Sequence, residues 1–206
     1  LRAAIASTSA THVHPGYGFL AESPQLARAV ADAGAVFVGP PEAVLAEMAS
    51  KSASKGFARD AGLEELGLAF DDSTGDIAGE FEYPILLKAD AGGGGRGNRL
   101  VERAEDLAPS VAALRARSRE LFGSEVLLAE RFLRRARHVE LQIFGISGRG
   151  VRVIDSRDCS VQRHHQKVVE EGPAPNRALA AIGPIRLGVE RALSRRGFRG
   201  AGTLEM

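Results

Sequence analysis

Cys159 is the only cysteine in 206 residues, so no disulfide can form within the chain and its fold must rest on apolar packing, as is usual in a reducing compartment. Lysine is nearly as scarce. Of 27 basic residues only Lys51, Lys55, Lys88 and Lys167 are lysine, and the rest are arginine. Such a bias replaces lysine wherever any positive charge suffices. The four that remain are therefore candidates for a task that a compact ammonium performs and a planar guanidinium does not, such as pointing at one phosphate or carboxylate oxygen. Long apolar runs are missing too: "AVFVG" and "EVLLAE" are far too short to cross a bilayer, and the first twenty residues hold no sustained apolar core of a signal peptide. The expected location is cytoplasmic. Charge of one sign is not in excess, because the formal net charge is +1, which gives no bulk attraction to nucleic acid or membrane. At 44% hydrophobic and 26% charged residues, the composition is that of an ordinary globular protein.

Ser23 precedes Pro24 and an apolar periodicity that stops at Gly34, which predicts an N-capped helix followed by the strand "AVFVG". "PEAVLAEMASKSASKGFARDAG" predicts a second helix ending at Gly62, with Lys51 and Lys55 one turn apart on one face. "LGLAFDDSTGD" reads as a weak strand and a polar loop. "AEDLAPSVAALRARSRELF" predicts an amphipathic helix with Leu107, Val111, Leu114 and Leu121 on one stripe and Pro109 in its first turns. "EVLLAERFL" is a strand, and "HVELQIFGISGRGVRVIDSRDCSVQ" alternates on both sides of a Ser-Gly-Arg-Gly turn, as a hairpin does. A final helix runs through "RALAAIGPIRLGVERALSRRG", where Gly183-Pro184 predicts a kink or break.

Glycine, by contrast, is abundant, and residues 92 to 95 form an unbroken run of it between the strands "PILLKA" and "NRLVE". Such a run gives up backbone entropy on folding and lets main-chain N–H groups approach a polyphosphate. Gly92 to Gly97 satisfy G-x-G-x-x-G, but a dinucleotide fold needs a helix at the third glycine, and "NRLVE" stands there instead. A Walker loop fails for want of Gly-Lys-Ser/Thr. What fits is a glycine hairpin over a nucleotide, with Lys88 on the preceding strand aimed at the phosphates.

"HVHPGYGFLAES", "YPILLKADAGGGGRGNRL", "RHVELQIFG", "RDCSVQRHHQKVVEEGPAP" and "RGAGTLEM" resemble, in order and nearly in spacing, the biotin carboxylase component of biotin-dependent carboxylases, an ATP-grasp family. The resemblance implies an α/β (α+β) fold. The end of a pre-ATP-grasp αβ domain at 1–47 leads through a linker helix at 48–64 to a glycine-lid domain at 65–132 and the first part of a catalytic antiparallel sheet at 133–206. It also implies an ATP-dependent ligase that forms carboxyphosphate from bicarbonate and MgATP and carboxylates biotin on a carrier domain. The partners are a carboxyltransferase component and, at full length, a second copy in a homodimer. Lys51, Lys88, Gly93, Gly94, Gly95, Arg96 and Gly97 would meet the phosphates. Glu130, Arg131 and Leu133 would meet the adenine, and His138, Gln162 and His165 other parts of the nucleotide. Gln166 and Lys167 would stand beside bicarbonate, where two anions react and need fixed positive charge. Glu205 would ligate Mg2+, with Mn2+ as the substitute ion.

The family's second magnesium carboxylate, bicarbonate arginine and general base have no counterpart between residues 1 and 206, nor do its opening strands. A fragment cut at both ends that binds nucleotide weakly or not at all and does not carboxylate biotin is therefore expected. Two alternatives stand beside it: an ATP-grasp ligase of the carbamoyl-phosphate class, and a non-catalytic carboxylase remnant. His12 and His14 at i, i+2 supply only two ligands and make no zinc site. Cys159 is expected to be a small buried residue.

Overall fold

Ser23 and Pro24 set the first well-defined helix boundary in the computed structural model, which describes residues 2–63, 82–91, 97–164 and 166–206. Helix α1 (Arg2–Thr8), strand β1 (His12–Val13), helix α2 (Pro24–Asp32), strand β2 (Val36–Phe37) and helix α3 (Glu42–Ala49) make the first unit. The Ser23 hydroxyl accepts a hydrogen bond from Leu26 N–H at 3.1 Å, and Pro24 at the first position loses only an N–H that the helix would leave unpaired. β1 and β2 are parallel, with His12 opposite Val36. Ile5, Ala27, Val30, Ala35, Phe37 and Leu45 close around them as a small core.

Instead of the one helix predicted over Pro41 to Gly62, there are two, α3 and α4 (Lys51–Ala61). Ser50 between them is extended, at φ −107° and ψ 126°, and its hydroxyl caps α4 by accepting from Ala53 N–H. Serine competes poorly for a helix interior and well for a cap, so the break falls on it. α4 ends as expected, on Gly62 in the left-handed region.

Strands β3 (Ile85–Ala89), β4 (Asn98–Val101) and β5 (Leu127–Arg131) form an antiparallel sheet in the order β4-β3-β5, crossed by helix α5 (Leu107–Phe122). Alternation buries Ile85, Leu87 and Ala89 completely or nearly so and turns Leu86 and Lys88 to the other face. Leu107, Val111 and Leu114 are buried on α5 as predicted, but Leu121 is 46% exposed. Phe122 rather than Leu121 packs the last turn onto this core. The predicted strand and loop at 66–76, and the hairpin tip with Gly93, Gly94, Gly95 and Arg96, lie outside the described residues.

The larger sheet has the order β8-β7-β6-β9, all antiparallel, from β6 (Val139–Ile146), β7 (Gly150–Arg163), β8 (Gln166–Glu171) and β9 (Gly200–Glu205). The Ser-Gly-Arg-Gly turn closes β6 onto β7 with Ile146 opposite Gly150, and a bulge between Gln142 and Ile143 shifts the register. Helix α6 (Asn176–Arg195) covers one face and continues through Pro184, so of the predicted kink or break there is no break. A proline inside a helix costs about 3 kcal/mol. Burial of Ile182, Val189, Ala192 and Leu193 against Leu141, Val151 and Val153, at roughly 1.5–3 kcal/mol for each large side chain, outweighs that. α4 crosses α6 at Gly188, where a Cβ would lie 2.0 Å from the Ala61 carbonyl oxygen; only glycine admits this approach.

Candidate active site

Two polar clusters form, one on each of the larger antiparallel sheets. The first lies at the base of the glycine hairpin. Leu86 faces Glu130 and Lys88 faces Leu128 across β3 and β5, so Lys88 and Glu130 are diagonal neighbours on the face away from the core, and they form an ion pair. Both are largely covered, at 23% and 20% side-chain exposure. Lys51, at the first turn of α4, donates from Nζ to the carbonyls of Ala89 (2.9 Å) and Asp90 (3.2 Å). The Asp90 carboxylate accepts from Ser52 N–H at 2.7 Å and from the Ser50 hydroxyl at 2.9 Å. It thus clamps the N-terminus of α4 to the end of β3, where a helix dipole favours negative charge. Burial holds the Lys51 ammonium below the ordinary lysine range, with the nearby Lys88 charge adding to this and Asp90 opposing it. At the foot of the hairpin, Gly97 accepts from Ala89 N–H at 2.7 Å. A Cβ at Gly97 would stand 2.8 Å from that of Ala89, so the two strands close because residue 97 has none.

The second cluster is on the larger sheet. Glu140 and Glu205 are direct partners across β6 and β9, an arrangement that repels unless a cation intervenes. The cation is Lys167 on β8. Its Nζ donates to Oε1 of Glu140 and, at 2.7 Å, to Oε1 of Glu205. Burial lowers the Lys167 pKa, but the bonds to the two carboxylates outweigh it and hold the ammonium above the ordinary range. Burial likewise works against the Glu140 carboxylate, which is only 2% exposed, yet the Lys167 bond and charge, with help from His138 and Arg157, hold its pKa below the usual value. His138 Nε2 is buried without a hydrogen bond, 3.5 Å from Glu140 Oε1 and 3.8 Å from Glu205 Oε1. The His138 backbone is fixed on both sides, since its N–H donates to Ser160 Oγ at 2.9 Å and its carbonyl accepts from Cys159 N–H at 2.8 Å. Asp158 anchors that segment by accepting from Ser160 and Arg137, and the Ser160 hydroxyl foremost keeps its carboxylate below the ordinary range. Ligand atoms of His138, Glu140 and Glu205 lie within 4.8 Å of one another. Two carboxylates and an imidazole suit a divalent cation.

Residues 60–206 match the family model of the carbamoyl-phosphate synthase L chain ATP-binding domain, and residues 1–45 that of the biotin carboxylase N-terminal domain. The chain belongs to this ATP-binding domain family. It is 40% identical, over 98% of its length, to the methylcrotonoyl-CoA carboxylase alpha subunit of Arabidopsis thaliana, of which it covers 28%. It is equally similar to a biotin carboxylase of Pseudomonas aeruginosa, of which it covers 46%. Its fold superposes with TM-score 0.86 and 34% identity on the biotin carboxylase domain dimer of Hydrogenobacter thermophilus 2-oxoglutarate carboxylase in complex with MgADP, ADP and bicarbonate, covering 99% of this chain and 46% of that one. The same score and identity relate it to a Campylobacter jejuni biotin carboxylase nucleotide complex, covering 98% and 47%. The chain thus spans less than half the length of these biotin carboxylase relatives, and the ATP-grasp fold expected from sequence is the one found.

Of the residues that the biotin carboxylase resemblance singles out, Lys51, Lys88 and Glu130 gather in the first cluster, and His138, Lys167 and Glu205 in the second. Gln162 pairs with Lys167 across β7 and β8, but its amide donates to the Cys159 carbonyl of its own strand at 2.9 Å. Gln166 is exposed on β8, Arg131 ends β5, and Leu133 beyond it is 42% exposed. His165 lies outside the described residues. Cys159 is fully buried, and burial pushes its thiol up. Glu140, Asp90 and Asp158 escape the sequence reading. Glu140 has a signal there, since period-two alternation puts it on one strand face with His138 and Gln142. A cavity of about 550 Å³ lined by Arg152, Glu190, Arg191 and Arg195 among others contains none of the predicted site residues. No helix among the described residues is long and apolar enough to cross a membrane.

Proposed function

We propose that this chain supplies the nucleotide grip and one metal carboxylate of an ATP-dependent biotin carboxylase, which carboxylates biotin on a carrier domain through carboxyphosphate. The observation that carries this is that Lys51, at the start of α4, and Lys88, on β3, meet at the base of a glycine hairpin, in a fold that superposes on biotin carboxylase domains. Phosphate oxygens would take over the lysine donors now given to Ala89, Asp90 and Glu130. Gly93 to Gly97, with Arg96, would close over them, and Glu130, Arg131 and Leu133 would border the adenine. His138, Gln162 and His165 would meet the rest of the nucleotide. Gln166 and Lys167 would orient bicarbonate, and Glu205 would hold Mg2+ or Mn2+, which when bound neutralises phosphate charge. The MgADP and bicarbonate named for the Hydrogenobacter relative support this assignment of ligands. That relative is described as a dimer, which supports a homodimer at full length, with a carboxyltransferase component as the further partner. ATP use fits a cytoplasmic setting and equally the mitochondrial one named for the Arabidopsis relative.

Calorimetry of MgADP and MgATP with the wild-type chain and Lys88→Ala tests the grip. Binding that is lost in the variant is expected. Equal affinity in both, with the fold intact by circular dichroism, would overturn the assignment of Lys88 and favour a non-catalytic remnant.

A further inference from the structure

The edge of β7 beside α6 holds a cavity to which the nucleotide reading gives no role. We infer that it is a second ligand site, which takes a small anion carrying two neighbouring oxyanion groups, phosphate or carboxylate, on Arg191, Arg195 and Arg152. It lies apart from the nucleotide grip. α6 packs on Leu141, and strand alternation turns Glu140 to the opposite face of the sheet.

The wall of the cavity is fixed without a ligand. β8 pairs with β7 only from Asp158 onward, so among the described residues no strand meets the outer edge of β7 over Val151 to Val153. Side chains of α6 take its place. The Ser194 hydroxyl accepts from Val151 N–H at 2.9 Å, Glu190 Oε1 accepts from Val153 N–H at 2.9 Å, and Arg186 donates to the Val153 carbonyl at 2.7 Å. Arg186, Glu190 and Ser194 recur every fourth residue and so form one row along the helix. Leu187, Arg191 and Arg195 form the next row. That second row lines the cavity of about 550 Å³ together with Asp60 of α4 and Arg152 of β7, a volume that suits a small ligand.

Charge decides what kind of ligand fits. Both carboxylates in the lining are already held by other groups, Glu190 by Val153 N–H and by Arg186 at 3.4 Å, and Asp60 by Arg196 at 2.8 Å. Arg152 adds only a loose pair to Glu190 at 3.6 Å and keeps 69% of its side chain exposed, so it is free to turn toward a ligand. Arg191 and Arg195 are exposed and have no ion pair or hydrogen bond among the described residues. Their like charges one turn apart repel, and the C-terminal dipole of α6 relieves only Arg195, in the last turn. An anion between them relieves both. Guanidiniums take phosphate or carboxylate oxygens two at a time, and two of them about 5–6 Å apart at Cβ match two acidic groups of one molecule. Leu187, 63% exposed, offers an apolar wall to the part that joins those groups.

Amide nuclear magnetic resonance of the whole chain, titrated with inorganic pyrophosphate and separately with citrate, tests this. At least one of the two anions should move the amides of Val153, Arg191 and Ser194 along one saturable curve. Response to pyrophosphate alone names phosphate as the acidic group and response to citrate alone names carboxylate; either supports the site. Arg191→Gln and Arg195→Gln should each weaken binding about tenfold, as loss of one charge-assisted contact does. Arg117→Gln removes the same charge from the exposed side of α5 and should change affinity less than about twofold, because distant exposed charges are screened. In the wild-type chain, the anion that binds should also slow phenylglyoxal modification of Arg191 and Arg195 severalfold against Arg117, read by mass spectrometry, so the test stands even where a variant fails to fold. Amides at Val153, Arg191 and Ser194 that neither anion moves, equal weakening by Arg117→Gln, or unchanged modification of Arg191 and Arg195 would each overturn the site, whatever the nucleotide calorimetry gives for Lys88.

Discussion

Replacing Asp90 with alanine should loosen the junction between the glycine hairpin and the rest of the molecule. The carboxylate accepts from Ser52 N–H at 2.7 Å and from the Ser50 hydroxyl at 2.9 Å. Hydrogen bonds to a charged group contribute about 1.5–3 kcal/mol each, and a carboxylate at a helix N-terminus adds about 0.3–1 kcal/mol. Asp90 is half-buried, so the lower ends apply, and a loss of about 2–4 kcal/mol is expected. With a urea slope of about 2 kcal/mol per molar, the midpoint of the transition that unfolds the smaller sheet should fall by about 1–2 M at an unchanged slope. Asp90→Asn keeps an acceptor without the charge and should recover about half. A second readout comes from Lys51, whose ammonium burial already holds down while Asp90 opposes that shift. Without Asp90 its pKa falls further, and acetylation at pH 8 should quicken. A midpoint shift under about 0.2 M with unchanged Lys51 labelling would refute the clamp.

Glu140→Gln should lower stability at neutral pH and flatten the acid limb. The folded pKa of Glu140 lies below its ordinary 4.5, so its contribution is present above that value and is lost as pH falls through the folded one; urea titrations between pH 3 and 7 would check this. Gly188→Ala should cost about 1–3 kcal/mol or more, because the added methyl meets the Ala61 carbonyl oxygen at 2.0 Å, and a thermal melt reads the loss. Leu87→Ala should cost about 2–5 kcal/mol, measured by hydrogen exchange as lost protection in the smaller sheet, β3 to β5, alone.

Local chemistry made much of this legible. Ser23-Pro24, the Ser-Gly-Arg-Gly turn and Gly62 each act within a few residues, and the structure has the element that each predicts. Two local signals were outweighed by distant partners. Pro184 should break a helix, but the buried stripe from Ile182 to Leu193 holds α6 to the sheet. Ser50 looks neutral inside an apolar periodicity; its hydroxyl caps α4 locally, but its bond to Asp90, 40 residues on, shows only in the fold. The site divides similarly. Lys51, Lys88 and Lys167 stand out because lysine is rare, whereas Glu140 is marked in the sequence only by alternation with His138, and its partner Glu205 appears only when antiparallel pairing sets the two opposite each other.

The three apolar clusters share no residue among the described ones. Heat should therefore melt this chain in more than one step, so a single midpoint would average transitions of separate parts. Among the described residues, the smaller sheet is joined to its neighbour by Lys51, Ser50, Ser52 and Asp90 rather than by a common interior. A molecule that touches both polar clusters at once would bind only where both parts are folded and would raise their transitions together. Merging of separate calorimetric peaks into one, with nucleotide and metal added, would therefore report that one ligand spans the two sheets.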